Sequence, residues 1–446
     1  MAVPVLEAVL SGRAGPEGVR EAVRAAPVRP AVRRAAASLL LPGVELGPVR
    51  LDRVKLKPGR KLSVWGRATA IDGEGRRCEV PLAVTWVPPS DFAPPSGGTG
   101  LPEPPGPTPV LRSCHAVDEA TGMELLASPW DPTAPELAAL LAPGAVPDRP
   151  RATTIRYRPR QRHVVRYDAA GSGEDPRYAK LVPGRDGAVV AAAAVALADG
   201  LDGSGDAATV RPVGVLPGGA VLYPRAPGRP LPALLRPGWA WPEVALRRCG
   251  AALGRVHDLR PGPAAAGHVI TVEHELAGVA SAGEHLPALD PDAARLLDAV
   301  LGAAAVALAG RATEVAPGHG DCKLDHFWLD RRTVTFIDVD SAAVTDPARD
   351  LGKLLADLRW WAARRGIRGL AAARAAVAAG YDAPGRPHER WTRAAAWEGL
   401  LLAKAALRRT SLLDVAWSAR TCAALREAGA VLGASPSTWT PVAAPV

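Results

Sequence analysis

The densest chemistry in the chain lies in Gly318-His319-Gly320-Asp321-Cys322-Lys323-Leu324-Asp325-His326-Phe327-Trp328-Leu329. A second acid follows seventeen residues after Asp321, in Thr335-Phe336-Ile337-Asp338-Val339-Asp340. Each acid borders a short apolar run, which predicts two carboxylates on neighbouring strand ends. One such group can take a proton from an attacking hydroxyl and the other can hold a metal, the minimal equipment for phosphoryl transfer from ATP. Asp340 lies two residues beyond Asp338 and points to the same side if the strand continues, as a reserve ligand or supporting acceptor. Lys323 can offset charge on a transferred phosphoryl group. His326 offers an imidazole nitrogen, a poorer donor for Mg2+ than oxygen and a better one for Mn2+ or Zn2+. Each residue also has a plain structural reading: a surface turn for Asp321, a turn cap for Asp338, an exposed cation for Lys323.

The elements that must place these groups come before and after them. From residue 150 the pattern predicts a hairpin (155–167), a strand Arg177-Tyr178-Ala179-Lys180-Leu181-Val182, a helix from about 187 to 198, and strands near 209–215 and 220–223. Helices are predicted near 241–258, 272–284, 291–310, 348–364, 368–380, 388–408 and 412–431. Upstream, 1–42 reads as helical. Runs 49–57 and 61–65 flank the turn dipeptide Pro58-Gly59, and a third strand follows over 78–87. The Pro/Gly/Ser run 88–109 reads as a linker and 434–446 as a frayed tail. Residues 155–167 echo the earlier hairpin, with Pro159 matching Pro58 and Arg162 matching Lys61. That echo is either a shared design or a chance recurrence of strand, proline, basic residue and strand.

His-Gly-Asp, a strand, Ile-Asp and then Asp346-Pro347-Ala348-Arg349-Asp350-Leu351 together resemble the aminoglycoside phosphotransferase family, with maltokinase-like and choline-kinase-like enzymes nearby. The resemblance is tight over 317–352, loose over 150–317 and indistinct before 110. It implies an α+β, bilobal, protein-kinase-like fold with an additional N-terminal α/β cap module. The expected division is a cap over 1–110 ending in the linker, a connecting segment and β-rich small lobe over 111–225, a helical lobe over 226–433 and a disordered tail. It further implies Asp321 and Lys323 as catalytic residues, and Asp338 and His326 as metal ligands. Lys180, Arg160, Arg162 and Tyr223 are implied to hold the nucleotide. His319 and Asp350 are expected to brace the loop. The implied cofactors are ATP and Mg2+, with Mn2+ as the alternative.

Three departures stand beside the resemblance. Asn is usual where His326 stands, and this chain contains no asparagine. The turn at Pro159-Arg160-Gln161-Arg162 has no glycine. The usual helix Glu partner of the lysine is missing, because 181–198 holds only Asp186 as an acid. An ATP-dependent phosphotransferase acting on a hydroxyl of a small molecule, sugar or aminoglycoside is the leading expectation. A pseudokinase or nucleotide-binding scaffold, and a kinase-like enzyme modifying peptide Ser/Thr in natural-product biosynthesis, are the alternatives.

Bulk properties bound these readings. A chain of 446 residues with 48% hydrophobic and 22% charged residues is globular and predicts more than one domain. The net charge of +9 is carried by scattered arginines, with no dense basic block, so nucleic acid is not an expected partner. Five widely spaced cysteines form no CxxC or Cys/His cluster and fit a reducing cytoplasm. The N-terminus lacks the pattern of a signal peptide, and the Ala-rich stretches are too short to span a membrane, so no membrane association is expected.

Overall fold

The structure is a computed structural model that describes residues 4–88, 90–91, 110–171, 173–260, 269–310, 315–382 and 389–433. Most of the expected linker 88–109 and the whole tail 434–446 lie outside the described residues.

Three short helices, Pro4–Leu10, Gly18–Arg24 and Val28–Ser38, precede a five-stranded antiparallel sheet. Its strand order is Glu45–Lys57, Lys61–Ile71, Arg77–Trp86, Met123–Ala127 and His115–Asp118. The last two strands extend this sheet past residue 110, beyond the sequence-read hairpin. Alternation puts Leu62, Val64, Ala68 and Ala70 of the second strand inward, where the apolar faces of the helices cover them. The turns are chemically explicit: Arg60 donates its backbone amide to Lys57 across Pro58-Gly59, and the Asp72 carboxylate accepts the amides of Glu74 and Arg76.

The second sheet is the core of the small lobe, in the order Gly214–Leu216, Ala220–Pro224, Arg177–Leu181, Arg162–Asp168 and Arg151–Arg158. The Ala- and Val-rich helix Gly187–Leu201 lies against it, with its first turn capped by the Asp186 carboxylate, which accepts from Ala188 and Val189. The single strand expected over 209–215 is divided. Ala207–Thr209 leaves for a different sheet, parallel to Val334–Phe336, while Gly214–Leu216 stays in the small lobe. Pro212 intervenes and has no N–H for a continuous ladder. This split ties the small lobe to the strands that carry the functional loop, Phe327–Leu329 and Val334–Phe336.

The remaining chain forms a helical lobe built from Glu243–His257, Val272–Ala282, Pro291–Ala307, Pro347–Arg365, Leu370–Tyr381, Glu389–Arg409 and Trp417–Val431. The last helix begins five residues later than the sequence pattern places it, because Ser411 and Asp414 satisfy local amides in a turn instead. Helix Pro347–Arg365 packs closely on Glu389–Arg409 at Gly352, where a Cβ would lie 2.4 Å from that of Trp397. The cap sheet reaches both lobes. Arg60 bonds Glu284 of the helical lobe at 2.5 Å, and the Trp417 indole donates to the Pro16 carbonyl at 2.7 Å. On the other side Glu124 receives Arg160 of the small lobe in two bonds of 3.0 and 3.2 Å.

Candidate active site

The loop 318–326 is held from beneath by buried charge. The carboxylate of Asp350, fully buried, accepts the amides of His319 at 2.5 Å and Gly320 at 3.1 Å. Arg349 donates to the Gly320 carbonyl at 2.8 Å and is itself neutralised by Glu275, which also binds Lys404. Gly320 has φ +79°, and a Cβ there would sit 1.7 Å from the Ser341 carbonyl oxygen, so only glycine fits the turn. His319 lies 1% exposed and bridges two segments. Its Nε2 faces the Ile337 carbonyl at 3.0 Å and its Nδ1 faces the Asp321 amide at 3.2 Å. Those partners require an N–H on Nε2 and a lone pair on Nδ1, the neutral form that burial also favours by lowering its pKa. The bracing roles expected for His319 and Asp350 match these contacts.

Above this platform three candidate ligand groups converge. One ligand atom each from Asp321, His326 and Asp338 lies within 4.8 Å of the others. His326 stacks on His319 with ring centroids 5.4 Å apart, and its Nδ1 lies 2.9 Å from the Asp321 carbonyl. A carbonyl only accepts, so Nδ1 carries the hydrogen and the neutral ring has its lone pair on Nε2. That lone pair faces the Asp338 carboxylate at 3.2 Å. Two electron-rich atoms at that distance need a proton or a cation between them.

Asp338 occupies the left-handed region at φ +62°, an uncommon conformation that aspartate tolerates better than most side chains. Burial would raise its pKa, yet a proton on His326 Nε2, where the ring carries one there, and the charge of Lys180 hold it far below the usual carboxylate range. Asp321 is held low in the same way: burial opposes ionisation, and the ammonium groups of Lys353 and Lys323 outweigh it. Lys323 Nζ is 3.3 Å from one Asp321 oxygen and Lys353 Nζ is 3.9 Å from the other. Lys353 is buried enough that its own pKa is pushed down to about 8.

The opposite wall comes from the small lobe. Lys180, 12% exposed, contacts the carboxylates of both Asp338 and Asp340. Asp340 thereby gives Lys180 a second carboxylate partner, from the turn after Asp338 and not from the helix. The three acids at that helix are used elsewhere, Asp186 as its N-cap and Asp199 and Asp202 against Arg211. Arg162 stands 3.6 Å from Asp338. Tyr223 lines the same cleft, and its hydroxyl is buried without a hydrogen-bond partner. The Trp328 indole N–H, on another lining residue, is likewise unpartnered. The cleft encloses about 390 Å³, with Ile155, Val164, Val210 and Ile337 as apolar walls.

Arg160 does not join this group. Its backbone takes φ +62° at the hairpin tip, and its guanidinium turns away to Glu124 of the cap. Its amide is held at 2.8 Å by Asp131, a buried acid that also binds His163 at 2.7 Å. With no glycine in the turn, the tip is pinned by these acids, and this removes Arg160 from the cleft. Sequence reading missed Lys353, Glu124 and Asp131. Lys353 left a trace as the one charge in the apolar run Leu351-Gly352-Lys353-Leu354-Leu355. The other two stand in a connecting segment with no periodic signal.

The family model described as Phosphotransferase enzyme family matches residues 160–397. No curated protein sequence matches the chain significantly. Among solved structures, an amicoumacin kinase in complex with AMP-PNP and Ca2+ aligns at 15% identity and a TM-score of 0.48, covering 65% of this chain and 90% of that one. A choline/ethanolamine kinase family protein from Mesorhizobium loti aligns at 17% identity and 0.42, covering 64% and 90%. An aminoglycoside phosphotransferase from Streptomyces rimosus aligns at 22% identity and 0.39, covering 56% and 92%.

Proposed function

This chain belongs to the phosphotransferase enzyme family, and from that premise we propose that it transfers the γ-phosphoryl group of ATP to a hydroxyl of a small molecule, a sugar or an aminoglycoside. The observation that carries the reading is the convergence of Asp321, His326 and Asp338 opposite Lys180 and Arg162, across one cleft.

The apolar walls Ile155, Val164, Val210 and Ile337 suit the adenine, and the unpartnered Tyr223 and Trp328 donors suit polar ligand groups. Lys180 and Arg162 supply cations for the phosphates, Lys180 by exchanging its contact with Asp338 while Asp340 keeps it in place. The donor set of Asp338 and His326, with the His326 lone pair directed at Asp338, fits a divalent cation. A bound Mg2+ or Mn2+ would neutralise the developing charge on the phosphate oxygens, and the imidazole nitrogen favours Mn2+.

Asp321 accepts the proton of the acceptor hydroxyl as its oxygen bonds to the γ-phosphorus and the bond to the β-phosphate oxygen breaks, releasing ADP. Its depressed pKa makes it a weak base. A loose transition state asks little of that base beyond orienting the hydroxyl, so a charged, fixed carboxylate is adequate. Lys323 and Lys353 keep it charged and aimed. Five unpaired cysteines, four of them buried, fit a cytoplasmic setting. No helix among the described residues is long and apolar enough to cross a membrane.

The test is calorimetric titration of ATP with Mg2+ or Mn2+, followed by phosphoryl transfer to a panel of sugars, aminoglycosides and simple alcohols. Metal-dependent ATP binding with transfer to at least one acceptor is expected. A second reading, a nucleotide-binding scaffold, rests on Lys180 occupying Asp338. Binding without turnover across the panel would favour it.

A further inference from the structure

A second cavity among the described residues is larger than the nucleotide cleft. It is a groove of about 1030 Å³ between the cap sheet and the edge strand Arg151–Arg158 of the small lobe. The cap contributes Arg53, Trp65, Arg67 and Arg77, one or more from each of its first three strands, and the small lobe contributes Arg156 and Arg158. Five guanidinium groups face only two acids in the lining, Asp52 and Glu79. Asp52 lies 3.6 Å from Arg67, and Glu79 accepts from Thr69. Among the described residues no carboxylate lies within ion-pair distance of Arg53, Arg156 or Arg158.

The arginines also act on one another. Arg158 is pushed down to about 10, first by burial and then by the charges of Arg53, Arg156 and Arg162. Arg156 is lowered by burial, then by Arg162 and Arg53. Folding has therefore gathered like charges that an anion would relieve. The spread of guanidinium forks over four strands suits several anionic oxygens rather than one, and Trp65 adds a flat face beneath Arg158, 5.8 Å from its ring.

We propose that this groove binds a small polyanion, a phosphate ester or polycarboxylate, gripped by Arg53 and Arg158 from opposite walls. The site is separate from the cleft and independent of the activity assigned there, although Ile155 and Arg156 line both cavities. The groove lies at the upper limit of small-molecule sites in size. Its two walls belong to different modules, so an anion in it would tie the cap to the small lobe.

The experiment is calorimetric titration of the full chain with inorganic tripolyphosphate and, separately, with citrate, at constant ionic strength set by chloride. Three proteins are compared: wild type, the R53Q/R158Q double variant and K180M, which alters the nucleotide cleft alone. Arg53 is exposed and neither arginine has an ion-pair partner, so the double variant is expected to keep its melting profile. Tripolyphosphate also has access to the cleft at Lys180, so the groove is read from the binding that K180M retains: that component should be equal in wild type and K180M and at least about tenfold weaker in R53Q/R158Q. The stronger of the two probes identifies phosphate or carboxylate as the preferred chemistry. The proposal is overturned if neither probe binds below about 10 mM, if R53Q/R158Q binds as well as wild type, or if only K180M loses binding. It is equally overturned if a single-stranded oligonucleotide displaces tripolyphosphate at equal total charge, since the groove would then serve a polymer.

Discussion

Two hairpins in this protein share a turn and diverge in everything the turn is attached to. In the cap, Lys57-Pro58-Gly59-Arg60 closes with an amide of Arg60 bonded to the Lys57 carbonyl at 3.0 Å. In the small lobe, Arg158-Pro159-Arg160-Gln161 closes with an amide of Gln161 bonded to the Arg158 carbonyl at 3.0 Å. The third residue takes a positive φ in both, +71° at Gly59 and +62° at Arg160. Glycine meets that demand freely, whereas arginine strains by about 1 kcal/mol. The cap hairpin spends its tip on a brace, Arg60 against Glu284. The small-lobe hairpin has its tip fastened by Glu124 and Asp131, while its flanks place Arg156 and Arg162 toward the cleft. Local sequence dictates the turn, and distant acids decide whether it is a strut or part of a binding wall.

The comparison breaks most severely at Asp131. Asp131→Ala would strand the buried His163 and the Arg160 amide together, and a loss of roughly 3 kcal/mol or more in unfolding free energy is expected by urea titration. A loss under about 1 kcal/mol would show that the tip needs no clamp. Next in size is the backbone strain itself. Gly59→Ala should cost about 1 kcal/mol and leave nucleotide affinity unaltered, as befits a strut. At the matching position, Arg160→Gly should be more stable than Arg160→Ala by about 1 kcal/mol, since both lose the Glu124 contact and only alanine keeps the strain. Equal stabilities would mean that the positive φ carries no cost there.

The smallest effect is electrostatic. Burial raises the Glu124 carboxyl, but His115 and Arg160 bring it down from 4.5 to about 2. A carboxylate whose folded pKa is depressed stabilises above its unfolded pKa and loses that contribution as pH falls through the folded value. The stabilisation from Glu124 should therefore be intact above pH 4.5 and fade toward pH 2. Because the side chain is 27% exposed, about 1 kcal/mol is at stake. Glu124→Gln should flatten that part of the stability profile, and an unchanged profile would remove the clamp's electrostatic half.

What the sequence revealed follows the range of each interaction. The loop at Asp321 and the strand to Asp338 are continuous runs with strong punctuation by Gly320 and apolar neighbours, so the convergence of their carboxylates was readable along the chain. The neutralisation of Lys180 was not, because its partner Asp340 is 160 residues away and arrives only when two sheets meet. The same holds for Arg160, whose side-chain direction depends on Glu124 in the cap. Pro212 could have signalled the divided strand, since a missing N–H interrupts any ladder. The arginine groove had no linear signature at all. Its charges are spread over four strands and look like scattered surface until the cap sheet and the small lobe come together.

The central claim is most directly tested by following ATP with phosphorus NMR in the presence of an accepting alcohol, for wild type and Asp321→Asn. The variant should still bind ATP and should transfer phosphate about a thousandfold more slowly. A variant that turns over as fast as wild type would contradict the assignment of Asp321 as the group that receives the hydroxyl proton.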